Sequence, residues 1–398
     1  MDGARFAPAF SLALDGQPAP AELRASVQSI QSKTGYEGLD EVEISLANEK
    51  LRWLDTELFA LGTGLTLSLG YAPEPLTRVF DGEVVARGAS FPSGGAPMFS
   101  ITAHDRRHKM ADGNKLRWFA IPVPSWGNLP LPDAVTASIV SLESLLVPIF
   151  DPVGLALSVL LGGADAMVAA TDPITSQKVV RKQPNVSDYQ FLETIAAENG
   201  WDMLVDHAGV LGGHVLHFTS SLDRLTPDHT LRYGASLIEF SPRVSTVGQI
   251  ASVSGFVWVA PIKTTFIVTL GFDPERQALT LSIFPGIVPI GMQASDYLIE
   301  EPLTLTSIPR RLVAELIPKL NNRLTASGSI IGDPSLAAGD VLRIEGVGVE
   351  FGGLWRATAV THSLDSGGLR TWFEARKEIW FGSIPPDDQG AIPVRITS

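Results

Sequence analysis

Three residues near position 105 come closest to a metal-ligand pattern in this sequence. His104, Asp105 and His108 place two histidines four residues apart, and on a helix such a pair would meet on one face. The preceding residues alternate as a strand does, and strand positions four apart lie about 13 Å from each other, too far to share one ion. We therefore predict a solvated strand end here and no metal site.

A second motif is LDSGGL at 364–369, which is similar to the sequence around the nucleophilic serine of chymotrypsin-like proteases. Leu364 stands where those enzymes have a glycine, and the sequence nominates no His and Asp that would activate Ser366. Asp-Ser-Gly-Gly between two alternating segments is instead typical of a tight β-hairpin. We interpret the motif as a turn.

Other enzyme signatures are missing from the sequence. It contains no G-x-S-x-G motif, no Gly-Lys pair for a phosphate-binding loop and 0 cysteines for a thiolate metal site. A hydrolase needs two facing carboxylates, whereas the adjacent Glu300 and Glu301 would point to opposite faces of a strand. The sequence therefore predicts no catalytic residue, no cofactor and no metal ligand.

Composition favours a globular chain with many short strands. The 398 residues carry a formal net charge of −13, and 45% are hydrophobic and 18% charged, beside 37 glycines and 28 prolines. Basic residues are scattered apart from HDRRHK at 104–109, so we expect no direct nucleic-acid binding. The lack of cysteine and of an apolar secretory block near the N-terminus favours synthesis and assembly in the cytoplasm.

Periodicity predicts strands through most of the chain. Alternating or short apolar runs between Gly and Pro residues mark strands at 42–48, 65–71, 78–86, 98–105, 214–220, 236–242 and 249–261. In the last strand, from Leu369 to Arg376, the odd-numbered residues should be buried and those between them should face solvent or an interface.

Two helices are predicted. NVSDYQFLETIAAENGW at 185–201 begins with a capping box formed by Ser187 and Gln190 and stops at Gly200. RRLVAELIPKL at 310–320 carries apolar residues on one face, and Pro318 should kink or end it.

The stretch LLVPIFDPVGLALSVLLGG at 145–163 is almost long enough for a membrane span. Two prolines and Asp151 interrupt it, and no Lys or Arg between 118 and 177 could anchor a membrane helix. We therefore predict that 134–170 forms a short apolar helical hairpin buried in protein contacts, with no stable membrane insertion. The residues predicted to make these protein contacts are Leu145, Leu146, Ile149, Phe150, Leu155, Leu157 and Leu160.

Several segments together resemble the phage late control gene D family, the central baseplate hub of contractile phage tails and related injection systems. The similar segments are LGYAPEPLTRVFDGEV (69–84), QPNVSDYQFLETIAAENGWDMLV (183–205), LRYGASLIEFSPRVSTVGQIASVSG (231–255) and GDPSLAAGDVLRIEGVGVEFGGLWRATAVTHSLDSGGLRTWFEARK (332–377). They follow one another in the family's order. The chain departs from the family at FVWVAPIKTTFIV (256–268), where members often have a Trp-Asp-Pro turn, and 119–172 has no counterpart.

The resemblance implies a mainly β (α+β) fold with two tube-like β-barrel domains and inserted α+β segments. The implied domains are a first barrel at 1–118, an inserted α+β segment at 119–229, a discontinuous second barrel at 230–262 and 322–380, an insertion at 263–321 and a C-terminal tail at 381–398. Three such chains would give six similar units in a ring.

The function that the resemblance implies is that of a structural, non-enzymatic baseplate hub, a homotrimer that joins a hexameric inner tube to a trimeric spike. The implied partners are the spike protein, the inner tube protein, other baseplate components and a tape-measure protein or cargo. The alternative is a tail-associated cell-wall hydrolase. The sequence leaves open whether the parent particle is a phage, a tailocin or an injection system.

Overall fold

A computed structural model of the chain describes residues 7–120, 180–209, 212–219, 225–245, 252–259, 263–273, 278–285, 297–303, 308–384 and 389. The predicted hairpin at 134–170 lies outside these residues. The prediction of a mainly β chain is confirmed. None of the helices in the described part of the chain is long and apolar enough to cross a membrane.

The strands are β1 (Ala7–Leu14), β2 (Gln17–Pro18), β3 (Val27–Gly35), β4 (Glu41–Ala47), β5 (Gly64–Ala72), β6 (Thr77–Ser90), β7 (Met98–His104), β8 (Lys115–Ala120), β9 (Val180–Val186), β10 (Asp202–Asp206), β11 (Val215–Thr219), β12 (His229–Arg232), β13 (Leu237–Val244), β14 (Ser252–Val259), β15 (Thr264–Asp273), β16 (Ala278–Pro285), β17 (Tyr297–Leu303), β18 (Leu324–Ile331), β19 (Val341–Glu345), β20 (Gly353–Asp365) and β21 (Gly368–Arg376). The α-helices are α1 (Ala21–Ser26), α2 (Arg107–Ala111), α3 (Asp188–Asn199), α4 (Ile308–Asn321) and α5 (Gly348–Phe351). Short 3-10 helices lie at Glu49–Leu51, Glu57–Phe59 and Ile379–Ser383.

One sheet of 13 strands combines strands from the N-terminal and the C-terminal parts of the sequence. Its order is β13-β18-β21-β20-β3-β4-β7-β6-β5-β1-β2, with β19 paired to β20 and β12 paired to β19. The strands come from two regions separated by the insertions, and the antiparallel pair β20–β3 is where the two regions meet. The regions predicted to form two barrels therefore share a single sheet.

The two regions are topological copies of each other. Repeat 1, made of β1, β3, β4, β5, β6 and β7, has the same chain order and the same pairs as repeat 2, made of β12, β13, β18, β19, β20 and β21. The one difference is that β1 pairs antiparallel with β5, whereas β12 pairs parallel with β19. Among the described strands, β1 does not pair with β3 and β12 does not pair with β13.

Two β-bulges fall at equivalent positions in the two repeats, whereas a third, at Leu67/Ser68 in the β5–β6 pair, has no counterpart in the β19–β20 pair. The pairing shifts between Val27 and Ser29 in β3, and between Leu237 and Glu239 in β13. A second shift lies at Val84/Ala86 in β6 and at Ala357/Ala359 in β20. Because a bulge is a specific backbone feature that bends its strand, these matches align the repeats residue by residue.

Each repeat has its own apolar core. The core of repeat 1 is built around the buried residues Leu12, Ile30, Ile44, Leu46, Leu65, Leu67, Phe80 and Ile101. The core of repeat 2 is built around Leu237, Ile330, Leu342, Ile344, Trp355, Val360 and Phe373. The predicted alternation in β21 is confirmed, since Leu369, Thr371, Phe373 and Ala375 are all at most 5% exposed.

The insertion between β13 and β18 forms a separate four-stranded sheet of order β16-β15-β14-β17. Helix α4 covers one face, where Leu312 and Leu316 meet Val253 and Val268. The sequence placed 252–259 in the second barrel, but β14 pairs with β15 and β17 and not with β13 or β18. An alternating pattern identifies a strand without identifying its neighbours, which explains this difference.

The helix predictions are largely confirmed. Helix α3 has the predicted capping box between Ser187 and Gln190, and Gly200 ends it in the left-handed conformation. Helix α4 continues to Asn321, three residues beyond Pro318, so the helix does not end at the proline. The carbonyl of Pro318 still accepts a hydrogen bond from the N–H of Asn322 at 3.2 Å.

Candidate assembly interface

The predicted strand end near position 105 is confirmed, but Asp105 is not solvated. β7 ends at His104, whose Nε2 lies 3.1 Å from Oε2 of Glu41. Asp105 is 0% exposed and binds Arg107, while Nδ1 of His108 contacts the carbonyl of Asp105 at 2.8 Å. In the part of the chain that the structure describes, no group of three His, Asp or Glu residues could hold a metal ion.

The interpretation of LDSGGL as a turn is confirmed. Asp365 pairs with Gly368 across the β20–β21 hairpin, and Gly368 has a φ of +104°, which favours glycine. The carboxylate of Asp365 accepts a hydrogen bond from the N–H of Gly367 at 2.6 Å. These residues form the hairpin connection, as the turn chemistry predicts.

A first buried ion cluster ties repeat 1 to the β10–β11 hairpin. Arg107 Nη2 lies 2.8 Å from Asp105 and 3.2 Å from Asp40, and the other Asp40 oxygen lies 2.9 Å from His207 Nε2. Burial lowers the pKa of Arg107, but the two carboxylates raise it more, so its pKa stays above the usual value. Because Nδ1 of His207 accepts the N–H of Asp81 at 3.1 Å, the imidazole proton sits on Nε2.

A second buried ion cluster joins repeat 2 to β10, and Arg376 of this cluster lies 5.2 Å from the ring centroid of Tyr36, directly after β3. Glu378 accepts from Arg356 at 2.9 Å and from Arg376 at 3.0 Å, and Arg376 also binds Asp202 at 2.5 Å. Burial raises the pKa of Glu378 although both guanidinium groups lower it. Burial, followed by the charge of Asp202, raises the pKa of Tyr36 well above its usual value. Among the described residues, two acids and two arginines balance each other, as in a structural cluster.

A cavity of about 550 Å³ between the β10–β11 hairpin and the loop at 333–340 is where the hydrolase alternative can be tested against geometry. Its acids are already engaged. Asp40 is in the first ion cluster, Asp206 accepts the N–H groups of Ala208 and Gly209, and Asp340 lies 3.3 Å from His229. These contacts use the three carboxylates to hold the fold around the cavity.

The remaining candidate for function is a pair of sheet edges. Strand β13 ends the large sheet and pairs only with β18 among the described strands. Beyond its bulge, β6 pairs with β7 on one side, and Val85–Ser90 have no strand on the other side in the described part of the chain. An unpaired edge presents backbone donors and acceptors, so it is a ready site for another strand.

Exposed apolar side chains accompany both edges. Ile238 on β13 is 55% exposed, and Phe91, directly after β6, is 60% exposed. Near β13, Ile331 on β18 and Trp372 on β21 are also exposed. Phe91 was not predicted from the sequence, where its signal is a lone aromatic at the start of the turn sequence FPSGG. The predicted contact residues Leu145, Leu146, Ile149, Phe150, Leu155, Leu157 and Leu160 lie outside the described residues.

Comparison with known proteins finds no matching family by sequence and no matching curated protein. The fold is similar to that of a tail protein from Neisseria meningitidis MC58, with a TM-score of 0.55 at 10% identity over 98% of this chain and 100% of that one. It is also similar to the 43 kDa tail protein of prophage MuSo2 from Shewanella oneidensis, with a TM-score of 0.55 at 12% identity over 96% and 99% of the two chains.

A third similar structure is the E. coli c3393 protein, a component of the type VI secretion system that is itself similar to the T4 bacteriophage tail proteins gp27 and gp5. Its TM-score is 0.51 at 10% identity, covering 96% of this chain and 77% of that chain. At such low identity these likenesses establish the fold. The described part of this chain therefore has a fold found in phage tail and secretion-system proteins.

Proposed function

We propose that this chain is the structural hub of the baseplate of a contractile tail or injection system, a homotrimer that joins a hexameric inner tube to a trimeric spike. One observation carries the proposal: a single chain holds two topologically equivalent repeats side by side in one sheet. Three copies therefore present six similar units while keeping threefold symmetry, which is what an adaptor between a sixfold tube and a threefold spike needs. The similar tail and secretion-system folds support the same setting.

The proposed partners follow from this position. The spike protein binds on the threefold side, the inner tube protein binds on the sixfold side, and other baseplate components bind around the ring. A tape-measure protein or cargo passes through it. The chain assembles in the cytoplasm and becomes part of a phage-tail-like particle. The proposed domains are those of the sequence analysis, except that 252–259 belongs with the insertion, because β14 pairs inside the four-stranded sheet.

Native mass spectrometry of hub released from purified particles tests the proposal. We expect a trimer that retains spike protein. A strictly monomeric or dimeric species in the particle would contradict it. Peptidoglycan turnover by the purified chain tests the hydrolase alternative, and we expect no turnover above that of a heat-denatured sample.

We also propose that the apolar segment 134–170 makes protein contacts in the assembled hub, through Leu145, Leu146, Ile149, Phe150, Leu155, Leu157 and Leu160. The described chain stops at Ala120 and resumes at Val180, and these two residues are paired across β8 and β9. After deletion of 134–170, the remaining residues 121–133 and 171–179 therefore connect two strand ends that already lie side by side. Deletion of 134–170 should preserve the β circular-dichroism signal and weaken trimer formation. Partition of the intact chain into liposomes that survives carbonate washing would instead indicate membrane insertion.

A further inference from the structure

We propose that copies of this chain join head to tail through one strand pair, formed by the end of β6 in one copy and β13 in the next copy. The inference rests on the proposed ring and specifies the contact between its subunits. It follows from the internal repeat, because the chain already makes one junction of this kind within itself.

The internal junction is the template. In β20, Ala359 to Leu364 pair antiparallel with Gly35 to Ile30 of β3. β20 holds the place in repeat 2 that β6 holds in repeat 1, and β3 holds the place in repeat 1 that β13 holds in repeat 2. The internal junction therefore joins the C-terminal half of β20 in repeat 2 to β3, the edge strand of repeat 1. The equivalent edges on the outside of the chain are β6 after Val84 and the free side of β13. Neither edge has a partner strand among the described residues.

Strand direction agrees with this contact. Every neighbouring pair along the sheet from β13 to β6 is antiparallel, and the order β13-β18-β21-β20-β3-β4-β7-β6 contains seven such steps. β13 and β6 therefore run in opposite directions. A rotation about an axis along the strands keeps these directions, so β6 meets β13 of the next copy antiparallel, as β20 meets β3.

The bulges set the register of the proposed junction. They align Ala86 with Ala359, and Glu239 with Ser29, which places Phe240 at the position of Ile30. Transferring the β20–β3 register gives one set of pairs between a copy and the next copy. The pairs are Ala86–Ser245, Arg87–Val244, Gly88–Arg243, Ala89–Pro242, Ser90–Ser241 and Phe91–Phe240. Pro242 has no N–H, so this junction has fewer possible donors than the internal one.

The register accounts for the exposure of Phe91. Its counterpart in repeat 2 is Leu364, which packs against the core of repeat 1 across the internal junction. By the same geometry, Phe91 packs beside Phe240 of the next copy, whose ring stands at 5.4 Å and 89° to Trp355 in the core of repeat 2. A 60% exposed phenylalanine thus gains the burial that its equivalent already has.

Disulfide trapping tests the register directly, since the chain has 0 cysteines. Ser90→Cys combined with Ser241→Cys places thiols at directly opposed positions, where Cβ atoms lie about 4.5–5.5 Å apart. We expect oxidised hub to run as dimers and trimers on non-reducing gels and to return to monomer with reductant. Gln31→Cys with Ser363→Cys, the equivalent internal pair, should form only an intrachain disulfide. Ser90→Cys with Arg243→Cys, shifted by two residues, should cross-link at least tenfold more slowly.

A second test needs no cross-link. Phe91→Ser should weaken trimer formation at least tenfold while leaving the circular-dichroism spectrum unchanged. Leu61→Ser is the control, because Leu61 lies in the same repeat and is 65% exposed but is outside the junction. It should assemble as the wild type does.

The outcomes separate the two proposals. A trimer that shows neither the Ser90–Ser241 cross-link nor any effect of Phe91→Ser overturns this junction and leaves the hub proposal standing. Trimers trapped equally well by the shifted pair overturn the register. Particles without any trimer overturn the hub proposal itself.

Discussion

Leu364 of β20 lies opposite Ile30 of β3, and its side chain packs against the core of repeat 1 although the residue belongs to repeat 2. The two repeats therefore share apolar packing as well as backbone hydrogen bonds. Leu369, at the start of β21, is buried in the same core at 5% exposure. Repeat 1 is incomplete without this hairpin of repeat 2, so the two should unfold together.

We expect Leu364→Ala to destabilise the protein by about 1–3 kcal/mol, at the lower part of the range for buried leucines because Leu364 is partly exposed. Urea unfolding followed by circular dichroism measures the change. Leu61→Ala, at a site 65% exposed, should stay within about 0.5 kcal/mol of the wild type. Equal effects of the two substitutions would show that the junction packing contributes little.

We expect Gly200→Ala to destabilise the protein more than Gly113→Ala does. Both glycines have positive φ, +68° and +71°, so each substitution adds backbone strain of about 1 kcal/mol. A Cβ at Gly200 would also lie 2.9 Å from Cα of Ala314 on α4, whereas no heavy atom of the described residues lies within 4 Å of one at Gly113. The added contact should raise the cost at Gly200 by about 1–3 kcal/mol. Thermal unfolding of both variants measures the difference, and similar melting temperatures would contradict close packing of α3 on α4.

Local structure was predictable from the sequence because its causes are local. The capping box of α3 needs only Ser187 and Gln190 three residues apart, and the β21 alternation needs only a period of two. The internal repeat was not predictable in this way. Equivalent positions such as Val84 and Ala357 share burial but not residue type, so the sequence shows two β regions without showing that they match.

The sequence favours a ring in which strand edges pair between subunits, but the strands that form these edges could not be identified from it, for a related reason. Strand pairing between β20 and β3 joins residues from opposite ends of the chain, and nothing near Ala359 or Gly35 in the sequence identifies the partner. Which strand remains an edge follows only from the completed pairing. The same limit explains the placement of 252–259, whose strand pattern was correct and whose neighbours were not.

We expect stability to fall as the pH decreases from about 6.5 to about 4, in part because of His362. This side chain is 3% exposed, its Nδ1 lies 2.9 Å from Oγ1 of Thr371, and burial lowers its pKa to about 4, with Asp333 offsetting only part of the effect. An unfolded histidine has a pKa near 6.5, so between these values the unfolded chain binds a proton that the folded chain does not. The unfolded state is therefore favoured on acidification, by about 3 kcal/mol for the whole interval.

The matched variant for this pH effect is His362→Gln, which keeps a polar group for Thr371 and does not titrate. The unfolding free energy of the wild type relative to the variant should fall as the pH decreases from 6.5 to 4. It should not depend on pH above pH 7.5. His229, whose pKa is raised mainly by its hydrogen bond to Asp340, contributes with the opposite sign but is common to both proteins. A pH-independent difference would show that His362 titrates alike in the folded and unfolded chains.

Glu378 is 1% exposed and accepts hydrogen bonds from Arg356 at 2.9 Å and from Arg376 at 3.0 Å. Glu378→Gln keeps the shape of the side chain but leaves two buried guanidinium groups with Asp202 as the one remaining acid among the described residues of this cluster. Breaking a buried ion pair by removing one charge costs about 3–5 kcal/mol, because the remaining charge stays desolvated. We therefore expect a loss of that size in urea unfolding. Glu374→Gln, at an exposed site four residues earlier on β21, should change stability by less than about 0.5 kcal/mol. If the two variants were equally stable, the cluster would not be what holds β10 to repeat 2.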